Sequence, residues 1–101
     1  MDKLEELYKV SNPRVAQKNA NQYLGVKKGE LFVSTKKDKK YMIMNPITKK
    51  WIHFGSMDYQ DFTKHTDEDR RQRYLKRAKN IRGNWRENPY SPNNLSIHIL
   101  W

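Results

Sequence analysis

The apolar positions of this chain fall into short blocks, and their spacing changes from block to block. In residues 2–9, Leu4, Leu7 and Tyr8 share one side of one or two helical turns. Val15, Ala16, Ala20, Tyr23 and Leu24 then recur at spacings of one, three and four. That period predicts a helix over 13–24, opened by Ser11-Asn12-Pro13 and closed by Gly25. Residues 31–54 change to a strand pattern. Leu31-Phe32-Val33 is a short apolar run, and Tyr41-Met42-Ile43-Met44 and Trp51-Ile52-His53-Phe54 flank Asn45-Pro46-Ile47-Thr48. Asn followed by Pro suits the first two positions of a type I turn, so the flanks predict a β-hairpin. Gly55 breaks the second arm.

Beyond the hairpin the helical period returns. Tyr59 and Phe62 predict a short helix over 58–64, and Thr66-Asp67-Glu68-Asp69 reads as a capping box with Asp in place of Glu or Gln. Tyr74, Leu75, Ala78 and Ile81 mark a helix over 70–82, ended by Gly83. In the tail, Leu95, Ile99 and Leu100 fit a helix face, while Leu95, Ile97, Ile99 and Trp101 alternate as in a strand. Ser91-Pro92 tips that segment towards helix. A tail this apolar packs on its own core or on a second subunit. The expected fold is α+β: one domain over 1–101, with a small antiparallel sheet (the hairpin plus a short strand at 31–33) against two main helices, and residues 1–12 as a loosely attached arm.

Composition narrows the function. The 101 residues are 36% hydrophobic and 32% charged, and 12% are aromatic, more than a disordered chain carries. A core this small leaves no room for a large enclosed pocket. No Cys is present, which removes disulfides, thiolate metal sites and a thiol nucleophile. The three histidines are scattered, the glycines form no phosphate loop, and the acids at 58–69 are read as helix caps. The expectation is a protein that is not an enzyme and has no metal or cofactor. No run of 18 apolar residues occurs, and MDKLEELYKV has no signal-peptide core.

Lys and Arg number 21 against 11 acids, for a net charge of +10. Such a surplus repels itself, and a polyanionic partner explains it. From Arg70 to Arg86 there are eight cations and no acid. At 100° per residue the apolar set of this helix spans an arc of roughly 120°. Arg70, Arg73, Lys76, Arg77 and Lys79 lie on the opposite half, while Arg71 and Arg82 lean towards the apolar arc. An ordinary solvated face would alternate signs, whereas this one stacks like charges at i,i+3 and i,i+4. A second basic group surrounds the hairpin, with Lys39 and Lys40 at its open end and Lys49 and Lys50 near its tip. Edge protection explains those lysines as well as phosphate binding does. All nine residues suit phosphate oxygens, and none forms a base-reading code. Five neutralised phosphates would give a log–log salt slope of about −4 to −5 on duplex DNA. Tyr41, Trp51, Phe54, Tyr59, Tyr74 and Trp85 interleave with the cations as stacking candidates, with core packing the better-supported use.

The run KKYMIMNPITKKWIHFGSMDYQDFTKHTDEDRRQRYLKRAKNIRGNW, followed by YSPNNLSIHILW, resembles a family of small basic proteins from nucleocytoplasmic large DNA viruses, such as marseilleviruses and chloroviruses. WIHFG, DFTKHTDEDRRQRYLKR and the terminal YSPNNLS and LW carry the likeness, over about residues 22–101. It implies a protein packaged in the virion, linked to DNA, dimeric and without catalytic residues. Virion, viral factory in the host cytoplasm and host nucleus are the compartments that follow. The leading expectation is a DNA-associated virion protein that binds phosphate backbone with little sequence preference. A connector that binds acidic capsid or core proteins is the alternative, and a small nuclease a distant third.

Overall fold

The computed structural model describes residues 2–101. Four helices and a three-stranded antiparallel sheet give an α+β fold, as the pattern predicts. Helix α1 spans Lys3–Val10, and α2 spans Pro13–Leu24. Strands β1 (Phe32–Val33), β2 (Lys39–Asn45) and β3 (Lys50–Ser56) follow in spatial order. Helix α3 covers Glu68–Lys79. A 3₁₀ turn at Trp85–Glu87 leads to α4 (Pro92–Leu95), which runs on as a π-helical turn over Ser96–Leu100.

The start signals act as the sequence implies. Asn12 caps α2 through Oδ1, with Pro13 in its first turn and Gly25 (φ 91°) at its end. The hairpin pairs Tyr41 with Phe54 and Ile43 with Ile52. Its four-residue loop closes through the Lys49 N–H donating to the Asn45 carbonyl at 2.8 Å, with Lys49 itself at φ 61°. Asn45 Oδ1 accepts from the Ile47 N–H at 3.0 Å, which fixes the turn.

One face of the sheet carries the core. Tyr41, Ile43 and Phe54 meet Leu7 of α1, Ala16 and Ala20 of α2, Tyr90, and Leu95, Ile99 and Leu100 of the C-terminal helix. The tail is therefore helical and packs on its own chain. The other face is half open, with Phe32 (41% exposed) edge-on to Trp51 (43% exposed) at 5.4 Å.

Four local expectations are corrected. Gly55 does not break the second arm: β3 runs through it to Ser56, which pairs with Lys39. Residues 3–11 are not a loose arm: Leu7 and Ser11 are fully buried, and Ser11 Oγ lies 2.7 Å from Tyr41 Oη. Segment 58–64 forms turns, because Asp61 Oδ1 accepts from the Thr63 N–H at 2.9 Å and draws the backbone away from a helix. Helix α3, read from its apolar spacing as 70–82, begins earlier, at Glu68, and stops earlier, at Lys79, and its cap lies one residue after the Thr66 of the capping box. Asp67 and not Thr66 caps it, accepting from the Arg70 N–H at 3.1 Å. At the other end the chain tightens into i,i+3 bonds, with the Asn80 N–H on the Arg77 carbonyl at 3.2 Å and the Ile81 N–H on the Ala78 carbonyl at 3.3 Å, while Asn93 Nδ2 also donates to the Ala78 carbonyl at 2.9 Å and Arg86 to the Lys79 carbonyl. Ile81 is left half exposed.

Candidate nucleic-acid interface

Helix α3 presents its cations because of how it is capped and seated. Asp67, Glu68 and Asp69 gather at its positive end, and Glu68 accepts from Arg71 at 3.0 Å and Gln72 at 2.7 Å. Leu75 and Ala78 are buried and set the inward face. Arg70, Arg73, Tyr74 and Arg77 then form a stripe at i, i+3, i+4 and i+7, with Lys76 beside Arg73.

This stripe borders an open groove of about 490 Å³ lined by Tyr59, Arg70, Arg73, Tyr74, Lys76, Arg77 and Trp101. The aromatic side is ordered by packing. Tyr74 and Trp101 stack with centroids 4.2 Å apart and planes 11° from parallel. Tyr59 leans on Trp101 at 6.5 Å, and His65 meets its edge at 5.4 Å. Arg71 turns away from the groove: its Nε donates to the Trp101 carbonyl at 2.7 Å, and its guanidinium lies over Phe62. Burial pushes the Tyr74 phenol up to about 12, with the Ser96 hydroxyl partly opposing, so it remains a neutral hydroxyl at ordinary pH.

A second recess of about 290 Å³ shares part of the groove's lining. Tyr59, Tyr74 and Trp101 are common to both, and Lys39, Ser56, Pro92 and Asn93 line the far part. The structure thus brings together five of the nine expected phosphate ligands: Arg70, Arg73, Lys76 and Arg77 at one end and Lys39 at the other. Among the described residues the ion pairs are Lys40–Asp61 and Arg71–Glu68, so none of these five cations is neutralised by a carboxylate within 4.0 Å.

The remaining four stand apart. Lys79 points to a different side of α3, where its charge adds to burial in lowering the His98 pKa. Lys49 and Lys50 sit at the hairpin tip, away from the groove. Lys40 is a correction. Its side chain is 1% exposed, and its Nζ donates to Asp61 Oδ2 at 3.0 Å and to the Tyr59 carbonyl at 2.9 Å. It is an internal group and offers nothing to an external phosphate.

Sequence reasoning did not place Trp101 or Asp61 here. Trp101 packs against the core, as its apolar neighbours imply, and its ring also forms a groove wall. For Asp61 no local signal was present, because Lys40 stands beside Lys39 just before the apolar arm and reads as an exposed cation. Of the stacking candidates, Tyr41 and Phe54 are core, and Tyr59 and Tyr74 line the groove. No group of three or more His or acidic side chains lies close enough to hold a metal among the described residues, and no helix among them is long and apolar enough to cross a membrane.

Residues 29–78, just under half of the chain, match a family described as a family of unknown function (DUF5754). The match covers the sheet and nearly all of α3, including every cation of the groove. No curated protein and no solved structure matches the chain.

Proposed function

We propose that this protein binds the phosphate backbone of nucleic acid, DNA in the first instance, without chemistry of its own and with little sequence preference. Following the resemblance to proteins of large DNA viruses, it would do so as a virion component that packages or organises the genome. One observation carries the reading: Arg70, Arg73, Lys76 and Arg77 line a single groove without an acidic partner. Like charges held this close destabilise the free helix and are relieved by a polyanion. The groove offers cations and aromatic rings and no base-edge code, which supports affinity without sequence reading.

The test is binding of labelled DNA across salt concentrations. Arg73→Glu with Arg77→Glu should abolish retardation at physiological salt, and Lys49→Glu with Lys50→Glu should leave most of it. Binding that ignores the Arg73 and Arg77 reversals would overturn the proposal.

A connector that docks on other particle proteins is the second reading. The exposed Phe32–Trp51 pair on the outer sheet face favours it. A homodimer would use that same face, because the C-terminal apolar residues are already buried in their own core. Sedimentation of the wild type against Trp51→Lys tests this contact, and a monomer at all concentrations would exclude self-association.

A further inference from the structure

We infer that the groove is built for single-stranded nucleic acid, with a base stacked on its aromatic wall. This rests on the backbone-binding reading above and adds which form of nucleic acid the site selects.

Phosphate binding alone needs cations on a flat or convex surface. Here the cations rim a recess, and the wall behind them is aromatic. Tyr59 is 43% exposed and lines both recesses. Its ring is held from one side by the Lys40 ammonium at 5.7 Å, and the same ammonium grips the Tyr59 carbonyl at 2.9 Å. Trp101 beside it is fixed by its stack on Tyr74, by His65 and by the Arg71 bond to its carbonyl. Both rings are ordered by the fold, so little rotamer freedom remains to be lost on binding.

A duplex keeps its base faces stacked inside and cannot offer one to Tyr59. A single strand presents a base face and flanking phosphates together. The groove matches that pattern, with cations at Arg70, Arg73, Lys76 and Arg77 on one side of the aromatic wall and Lys39 on the other. An acidic peptide would satisfy the charges and leave the rings unused, so the aromatic wall favours nucleic acid.

Fluorescence anisotropy at one salt concentration tests this, with an oligothymidine of about 15 nucleotides, the matching duplex, and poly-glutamate as a polyanion without bases. The single strand should bind at least about fivefold more tightly than the duplex, and poly-glutamate should compete poorly. Tyr59→Ala should lose about fivefold or more on the strand and nothing on the duplex, while Tyr59→Phe should behave as wild type. A Trp51→Phe, Trp85→Phe protein retains Trp101 as its sole indole, and oligothymidine should quench its emission. Equal binding of strand and duplex, a Tyr59→Ala protein that binds the strand as wild type does, or unquenched Trp101 would overturn the inference and leave backbone binding intact. Failure to bind either nucleic acid would overturn both.

Discussion

The Lys40 ammonium lies 3.0 Å from Asp61 Oδ2, and the two side chains are 1% and 0% exposed. Burial lowers the lysine pKa, and the Asp61 carboxylate pulls it back up. Asp61 also holds the chain around it. Its N–H donates to the Val10 carbonyl at 3.1 Å, its Oδ1 accepts from the Thr63 N–H, and its carbonyl accepts from the N–H groups of Lys64 and His65. One ion pair thus ties β2 to α1 and to the segment that carries Tyr59. Lys40→Met leaves a buried carboxylate unpaired and should cost about 3–5 kcal/mol, with Asp61→Leu similar in size. The double variant removes both charges and should regain most of the loss in urea denaturation. Strictly additive losses would mean that the pair is not coupled.

Five groove cations set the salt dependence. Complete engagement of a single strand gives a log–log slope of about −3.5. Arg73→Gln with Arg77→Gln should reduce it to about −2, since two counterions fewer are released. Lys79→Gln and Lys49→Gln should leave the slope almost unchanged, because neither residue reaches the groove. Titrations at four or more salt concentrations decide this.

The cap of α3 separates two neighbouring residues. Asp67 Oδ1 accepts the Arg70 N–H at 3.1 Å. Asp67→Ala should therefore cost about 1 kcal/mol, through the lost cap and the lost charge at the helix start. Thr66→Ala should be almost silent. Thermal melts of the two proteins would rank them, and the reverse order would return the cap to Thr66.

Gly55 allows the hairpin to meet the C-terminal helix. It sits at φ 81°, and a Cβ there would lie 2.8 Å from Leu100 Cδ1 and 3.2 Å from Lys40 Cβ. Gly55→Ala combines backbone strain with overpacking beside the buried ion pair and should cost about 2–4 kcal/mol. Denaturant midpoints measure it, and a loss below about 1 kcal/mol, or the small gain that Gly-to-Ala gives at an unstrained site, would show that this junction yields easily.

How far the sequence reaches depends on how local the deciding physics is. Asn12-Pro13, Gly25 and the Asn45-Pro46 turn are read correctly because cap and turn chemistry act within a few residues. Arg70, Arg73, Lys76 and Arg77 fall together because helical spacing alone puts them on one side. The alliance of Lys39 with that helix is not legible, since it depends on Trp101 and Tyr59 bridging elements far apart in the chain. Lys40 fails for the same reason. Its charge is visible, but its partner lies twenty-one residues on. Asp61 misleads in the 58–64 segment because its carboxylate bonds its own turn and defeats a helix that the aromatic spacing favours.

All three histidines favour their neutral form in the fold. Burial is the first cause in each case, reinforced by Lys36 and Lys3 at His53, Arg70 at His65 and Lys79 at His98. At His65 the Asp67 and Asp61 carboxylates and the nearby Gln60 carbonyl oppose the shift without reversing it; that carbonyl is not in hydrogen-bond geometry with the buried Nε2, which has no partner. Its Nδ1 accepts from the Asp67 N–H at 3.1 Å, so the neutral ring carries its proton on Nε2 beside the Trp101 indole. With folded-state pKa values below the ordinary imidazole value of 6.5, the unfolded chain binds more protons on acidification. Stability from this source is complete above pH 6.5 and falls as the pH drops through the window beneath it. Glu68, whose pKa is lowered by hydrogen bonds from Gln72 and then Arg71, loses its contribution separately, as the pH falls below its ordinary value of 4.5. Melting temperature followed from pH 8 to pH 5 should therefore decline before the carboxylates titrate. His65→Gln keeps an acceptor for Asp67 and removes one titrating ring, so its decline should be shallower than that of wild type. A flat wild-type profile over this range, or an unchanged slope in His65→Gln, would show that the ring beside Trp101 is not held neutral by the fold.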